Sequence, residues 1–210
     1  MPVRSKDHQE TLYQRRQYEK GGIGRLYWDL RDKVILSWIG KQDRCVADIG
    51  CGEGITLEKA TRLFPEKKFI GVDRLLENLL ICADHNLEIA GGDVYRLPFA
   101  GGRFDCVLLL EVIEHLSNPS SAISEINRIL RPAGKLIMIF PNDKMFKIAR
   151  LMTCKFPEAF YDPDHLKQWT PGDIKIFLSS HGFRILKQQS IPFLIWQMSL
   201  HHVVVCEKMI

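Results

Sequence analysis

Apolar residues along this chain gather in short runs separated by stretches of helical spacing. Four of the runs are nearly continuous: Val46-Ala47-Asp48-Ile49, Phe69-Ile70-Gly71-Val72, residues 104–110 and residues 135–140. Short apolar runs without alternation predict strands buried on both faces, the pattern of a parallel sheet. Leu87-Glu88-Ile89-Ala90 predicts a shorter strand between the second and the fourth. Residues 183–187 and 202–208 predict two closing strands. Helices are expected between them. Residues 23–39 carry Leu26, Leu30, Val34, Ile35 and Trp38 at helical spacing, after a Gly21-Gly22 break that separates them from residues 11–18. Asn118-Pro119 and Thr170-Pro171 each put a capping residue before a proline, predicting helices over 120–130 and from 171 to about 181. The alternation predicts an α/β fold whose mostly parallel sheet is joined by right-handed crossovers.

The first strand runs straight into Gly50-Cys51-Gly52-Glu53-Gly54. Glycines at a strand-to-helix turn let the backbone curl tightly and let a ligand approach the main chain. A pyrophosphate at the following helix N-terminus is the usual occupant of such a turn. Here, however, the spacing is G-x-G-x-G rather than G-x-G-x-x-G, and Asp48 precedes the glycines. A fixed carboxylate repels a pyrophosphate and attracts a cationic, phosphate-free ligand. Asp73 closes the second strand, where an acid can hold ribose hydroxyls. Gly92-Asp93-Val94 follows the third strand, Glu111 ends the fourth, and Glu111-Val112-Ile113-Glu114-His115-Leu116 comes next.

In these motifs the chain resembles the class I S-adenosylmethionine-dependent methyltransferases, of the small type similar to quinone-biosynthesis methyltransferases. The likeness is close from Cys45 to Pro141 and looser elsewhere. It implies a Rossmann-like sheet of seven strands, mostly parallel, with helices on both faces and an antiparallel last strand. It implies S-adenosylmethionine as cofactor. Asp48, Gly50, Cys51, Gly52 and Gly54 would form the loop around its methionine moiety, with Cys51 a small filler. Asp73 would hold the ribose, Arg74 or Leu75 would lie against the adenine, Asp93 would accept from the adenine amino group, and the backbone of Val94 would contact the ring. Glu111 would line the pocket. Ala133 stands where the family usually has a second glycine.

If the segment after the fourth strand is helical, Glu111, Glu114 and His115 share one face. With His165 they make a set able to hold a divalent cation, as in the small-RNA 2′-O-methyltransferases that the segment resembles. The alternatives for His115 are a substrate-facing base and a structural histidine. The expected catalytic residues are His115, Glu114 and His165, and no resident metal is assigned.

Residues 1–44 are expected to form a helical lid, with Tyr13 or Tyr18 near the transferred methyl. Residues 45–210 would be the cofactor-binding domain, with a cap insertion at about 142–170. That insertion mixes Met145, Phe146, Ile148, Phe156 and Phe160 with Lys144, Lys147 and Lys155. A second apolar patch, residues 191–196, precedes the last strand. Both suit a hydrophobic or lipid-like acceptor and a peripheral contact with a membrane surface.

Composition narrows the classes. With 46% hydrophobic and 26% charged residues and a net charge of +4, the 210 residues read as one globular domain with no dense basic run for nucleic acid. The six cysteines are scattered without a C-x-x-C pair and read as reduced thiols. A charged, polar start and the absence of a long apolar run lead to the expectation of a cytoplasmic enzyme. The leading expectation is methyl transfer to O or N of a small, hydrophobic acceptor. Metal-assisted RNA 2′-O-methylation and a non-catalytic binding protein that keeps the fold are the alternatives.

Overall fold

The computed structural model describes residues 13–152 and 165–209. Seven strands form one sheet in the order β3-β2-β1-β4-β5-β7-β6. They are β1 (Cys45–Ile49), β2 (Lys68–Asp73), β3 (Ile89–Gly91), β4 (Phe104–Leu110), β5 (Leu130–Pro141), β6 (Phe183–Ile191) and β7 (His201–Lys208). The first five run parallel; β7 lies antiparallel between β5 and β6. This is the expected Rossmann-like sheet, with the reversal at its end.

Helices cover both faces, as the doubly buried strands require. On one side α2 (Gly22–Leu36), α3 (Ile55–Leu63) and α4 (Leu76–Asp84) set Ile35, Leu57, Ala60 and Cys82 against Val46, Leu108 and Ile139. On the other, α5 (Pro119–Ile129) and α7 (Pro171–Ser180) bury Ile123, Ile126, Ile174 and Leu178 against Val107, Leu136 and Val204. Two further helices, α1 (Tyr13–Glu19) and α6 (Asp143–Met152), lie outside these layers in sequence. Both predicted caps form. The Asn118 side chain accepts from the Ser121 amide at 3.2 Å, and Thr170 and Asp173 make a reciprocal capping box.

Three boundaries differ from expectation. β5 starts at Leu130, because Leu130 pairs with Phe104 before the chain turns through Ala133 at φ 56 and resumes the ladder at Lys135. β6 runs on to Ile191 through Lys187, Gln188, Gln189 and Ser190, because β7 supplies a partner along its whole length. Polar residues on an edge strand weaken the sequence signal and also discourage pairing with other chains. Residues 113–115 form one 3₁₀ turn and not an α-helix. Of the expected cap, Phe156, Phe160 and Lys155 lie outside the described residues, as does Cys154.

Candidate cofactor and acceptor site

Asp48, Asp73, Asp93 and Glu111 lie within two residues of the ends of β1, β2, β3 and β4, and parallel strands deliver those ends to one edge of the sheet. Between β1 and α3 the chain turns on Gly50, Gly52 and Gly54, with φ of 74, 53 and 75°. A Cβ at Gly50 would fall 2.5 Å from Val112 Cγ2, so both conformation and space demand glycine there. The amides of Gly50 and Cys51 donate to the Val72 carbonyl, and that of Gly52 donates to Asp73 Oδ2 at 2.9 Å. Asp73 Oδ1 takes the Leu75 amide at 2.9 Å. Each oxygen retains a lone pair for a further donor.

A cleft with about 630 Å³ of empty space, part of it open to solvent, lies over this turn. The turn, Asp48 and Glu111 line it, together with residues that sequence reasoning missed: Gln14, Trp28, Arg31 and Thr56. Asp73, Arg74, Asp93 and Val94 border the same edge without lining the cleft. Arg74 and Asp93 are exposed, and Asp93 Oδ1 accepts from the Tyr95 amide at 3.0 Å.

Charge is unevenly satisfied there. Asp48 is 2% exposed and its Oδ1 has no hydrogen bond among the described residues. Burial, with Asp32 and Asp73 nearby, pushes its carboxyl up to about 7 against the pull of Arg31. Arg31 is buried on α2. It donates to Asp32 Oδ1 through Nε (3.1 Å) and Nη2 (2.9 Å), to Thr56 Oγ1 at 3.2 Å, and through Nη1 to Glu111 Oε1. Lys59 adds a 2.6 Å bond to Asp32 Oδ2. Burial alone would raise the Glu111 carboxyl, but His201 and Arg31 outweigh it and hold Glu111 well below the usual carboxylate range. An unpaired buried carboxylate oxygen opposite a guanidinium suits a ligand that carries an ammonium and a carboxylate together.

Cys51 packs against Gly71, its Sγ 2.9 Å from where a Cβ would stand. Contact with the Cys82 thiol, then burial, raises the Cys51 thiol, which keeps it protonated. It fills the space beside Gly71 and also lines the cleft. Tyr18 stacks on Trp28 and donates to Asp29 Oδ1 at 2.7 Å, so it is held between α1 and α2 and does not line the cleft. The Tyr13 side chain lies outside what is described.

The expected shared face of Glu111, Glu114 and His115 does not form. Glu111 adopts φ 55, a left-handed conformation rare for a side-chain-bearing residue, and its carboxylate turns to Arg31. Glu114, His115 and His165 do converge, with one ligand atom from each lying within 4.8 Å of the others. Glu114 is 2% exposed with neither carboxylate oxygen hydrogen-bonded among the described residues, and burial pushes its carboxyl up to about 8. Its backbone carbonyl accepts from the Leu166 and Lys167 amides, which tethers the segment carrying His165. His165 Nδ1 sits 2.9 Å from Asp143 Oδ1, and its ring meets His115 edge-on at 4.7 Å. This second cluster can orient an imidazole for proton transfer or hold a cation.

Residues 47–138 match the family described as "Methyltransferase domain". A ubiquinone biosynthesis O-methyltransferase of Azorhizobium caulinodans is 31% identical over 70% of this chain and 62% of its own length. An uncharacterized methyltransferase of Schizosaccharomyces pombe is 31% identical over 48% of this chain and 40% of its own. The chain thus spans less than two thirds of these curated relatives. Among solved structures, a SAM-dependent methyltransferase from Archaeoglobus fulgidus superposes with a TM-score of 0.69 over 93% of this chain and 100% of the other, at 18% identity. That likeness concerns the fold.

Proposed function

We propose that the chain is an S-adenosylmethionine-dependent methyltransferase and that it transfers a methyl group to O or N of a small, hydrophobic or lipid-like acceptor. The carrying observation is the buried, unpaired Asp48 oxygen beside Arg31 over the glycine turn. Asp48 would take the cofactor's ammonium, Arg31 its carboxylate, Asp73 its ribose, and Asp93 and Val94 its adenine, with Arg74 alongside. The cofactor, when bound, supplies a methyl group already activated on a sulfonium. What remains for this chain is to align the acceptor, keep water out and accept a proton if the acceptor carries one. His115 and His165 are the groups for that proton, with Asp143 orienting His165. Glu114 supports them from below.

For the acceptor, support comes from the ubiquinone-pathway relative and from apolar side chains near the end of β5. Asn142, just past that strand, donates to the Trp196 carbonyl at 2.9 Å and ties down a loop that exposes Phe193, Leu194, Ile195 and Met198. Such a rim also fits peripheral contact with a membrane surface. No helix among the described residues is long and apolar enough to cross one. The two N-terminal helices act as the lid of the cleft. The Gln14 and Arg15 amides donate to the Glu53 carboxylate at 3.3 and 2.7 Å.

Calorimetric titration tests the core of this reading. S-adenosylmethionine should bind and a dinucleotide such as NADH should not; the reverse result overturns it. The convergence of Glu114, His115 and His165 favours one further reading, a divalent cation that activates a hydroxyl acceptor. Methyl transfer abolished by a chelator and restored by Mg²⁺ or Mn²⁺ would select it over the imidazole base.

A further inference from the structure

Tyr27 and His201 stand behind the cleft without lining it. His201 opens β7, is 1% exposed, and its ring stacks on Tyr27 at 5.6 Å and meets Phe146 edge-on at 4.9 Å. Tyr27 Oη lies 2.5 Å from His201 Nδ1. The Glu111 carboxylate on the far side of the ring can only accept, so in a neutral imidazole Nδ1 takes the Tyr27 O–H and the ring proton is on Nε2. That nitrogen is buried, makes no hydrogen bond among the described residues, and faces Glu111 Oε1 at 3.4 Å. Arg31, one turn along α2 from Tyr27, bonds the same oxygen. Glu111 itself has left-handed backbone, so the chain's own preference does not hold its carboxylate there.

We propose that Tyr27 and His201 are positioning residues: Tyr27 fixes the tautomer of His201, and His201, with Arg31, fixes the Glu111 carboxylate at the wall of the cofactor cleft. The inference rests on the reading of that cleft as the S-adenosylmethionine site. Three distant parts of the chain, α2, the end of β4 and the start of β7, meet in this one oxygen. Removing the imidazole leaves Arg31 to draw Glu111 away from the wall, and the cofactor meets a displaced carboxylate.

The test is a double-mutant cycle on the full chain, read by calorimetric titration with S-adenosylmethionine. His201→Leu should weaken binding about tenfold, the scale of losing a hydrogen bond to a charged group. His201→Gln, whose amide can accept from Tyr27 and donate toward Glu111, should stay within about twofold of the native chain. In a Glu111→Gln background, His201→Leu should have no further effect, because its action runs through Glu111. Additive losses, or native affinity in His201→Leu, overturn the proposal. If thermal unfolding shows that His201→Leu does not fold, Tyr27→Phe enters the same cycle; it removes only the hydroxyl and keeps the ring stack. A native chain that binds no S-adenosylmethionine overturns the methyltransferase reading as well, and that arm is read separately.

Discussion

Asp48 carries opposite consequences for the empty and the loaded protein. Its carboxyl is raised from the ordinary range to about 7 by burial and by Asp32 and Asp73. The folded state therefore holds this proton more tightly than the unfolded chain. Its contribution to stability is complete below about pH 4 and is lost as pH rises through about 7. Binding of a cation needs the carboxylate, so affinity runs the other way. S-adenosylmethionine affinity should climb, by at most about tenfold per pH unit, and level off above about pH 7. Asp48→Asn should flatten both trends and cost affinity mainly at pH 8, measured by calorimetry and thermal scans at pH 6, 7 and 8. An unaltered pH dependence in Asp48→Asn would count against an ammonium partner. A second residue-scale case is Ala133, held in left-handed backbone at φ 56. Left-handed backbone costs an alanine ~1–2 kcal/mol, and glycine returns ~0.5–1 kcal/mol of that as lost chain entropy. Ala133→Gly should thus stabilise the fold by about 0.5–1 kcal/mol in urea unfolding. A lower midpoint would mean that the turn is not strained.

Among the elements, α7 is held at its start by the Thr170–Asp173 box, with 3.2 Å bonds in both directions. Its Ile174 and Leu178 complete one hydrophobic layer. Thr170→Ala should cost about 1 kcal/mol, seen as a lower denaturant midpoint with an unchanged slope. The cap was legible in the sequence, because a capping residue before a proline marks a helix start; its reciprocal bond with Asp173 was not read there. Also legible were β1, β2, β4 and β5, since burial on both faces demands an uninterrupted apolar run. The far half of β6 was not, because an edge strand carries polar residues and owes its state to β7. Nor was the turn at residues 113–115: the Glu-Glu-His spacing fits a helix, and only the left-handed Glu111 redirects it. Arg31 was hidden for a different reason. One arginine on an amphipathic helix reads as solvent-facing until the fold brings Glu111 from the sheet edge and Thr56 from α3 to it, beside its own neighbour Asp32. The bond between Tyr27 and His201 spans 174 residues of sequence, beyond the reach of any local pattern.

At the scale of the molecule, the N-terminal helices and the glycine turn form one structure. Arg15 donates from its amide to Glu53, through Nη2 to the Glu53 carbonyl at 2.8 Å and through Nη1 to Glu58 at 2.9 Å. Glu53 belongs to the turn and Glu58 to α3, so α1 holds the loop that would wrap the cofactor. The ion pair is largely buried, with side chains 12% and 16% exposed, and escapes most of the screening that weakens surface pairs. If α1 orders the turn before the ligand arrives, breaking this contact makes binding bear that ordering cost. Arg15→Ala should then weaken S-adenosylmethionine affinity by about three- to tenfold while leaving the unfolding midpoint of the sheet nearly unchanged. Hydrogen exchange supplies the second view: the cofactor should slow the amides of residues 14 and 15 together with those of 50–54 in the native chain, and Arg15→Ala should uncouple the two sets. Full affinity in Arg15→Ala, with the two sets already independent in the native chain, would reduce α1 to a passive wrap.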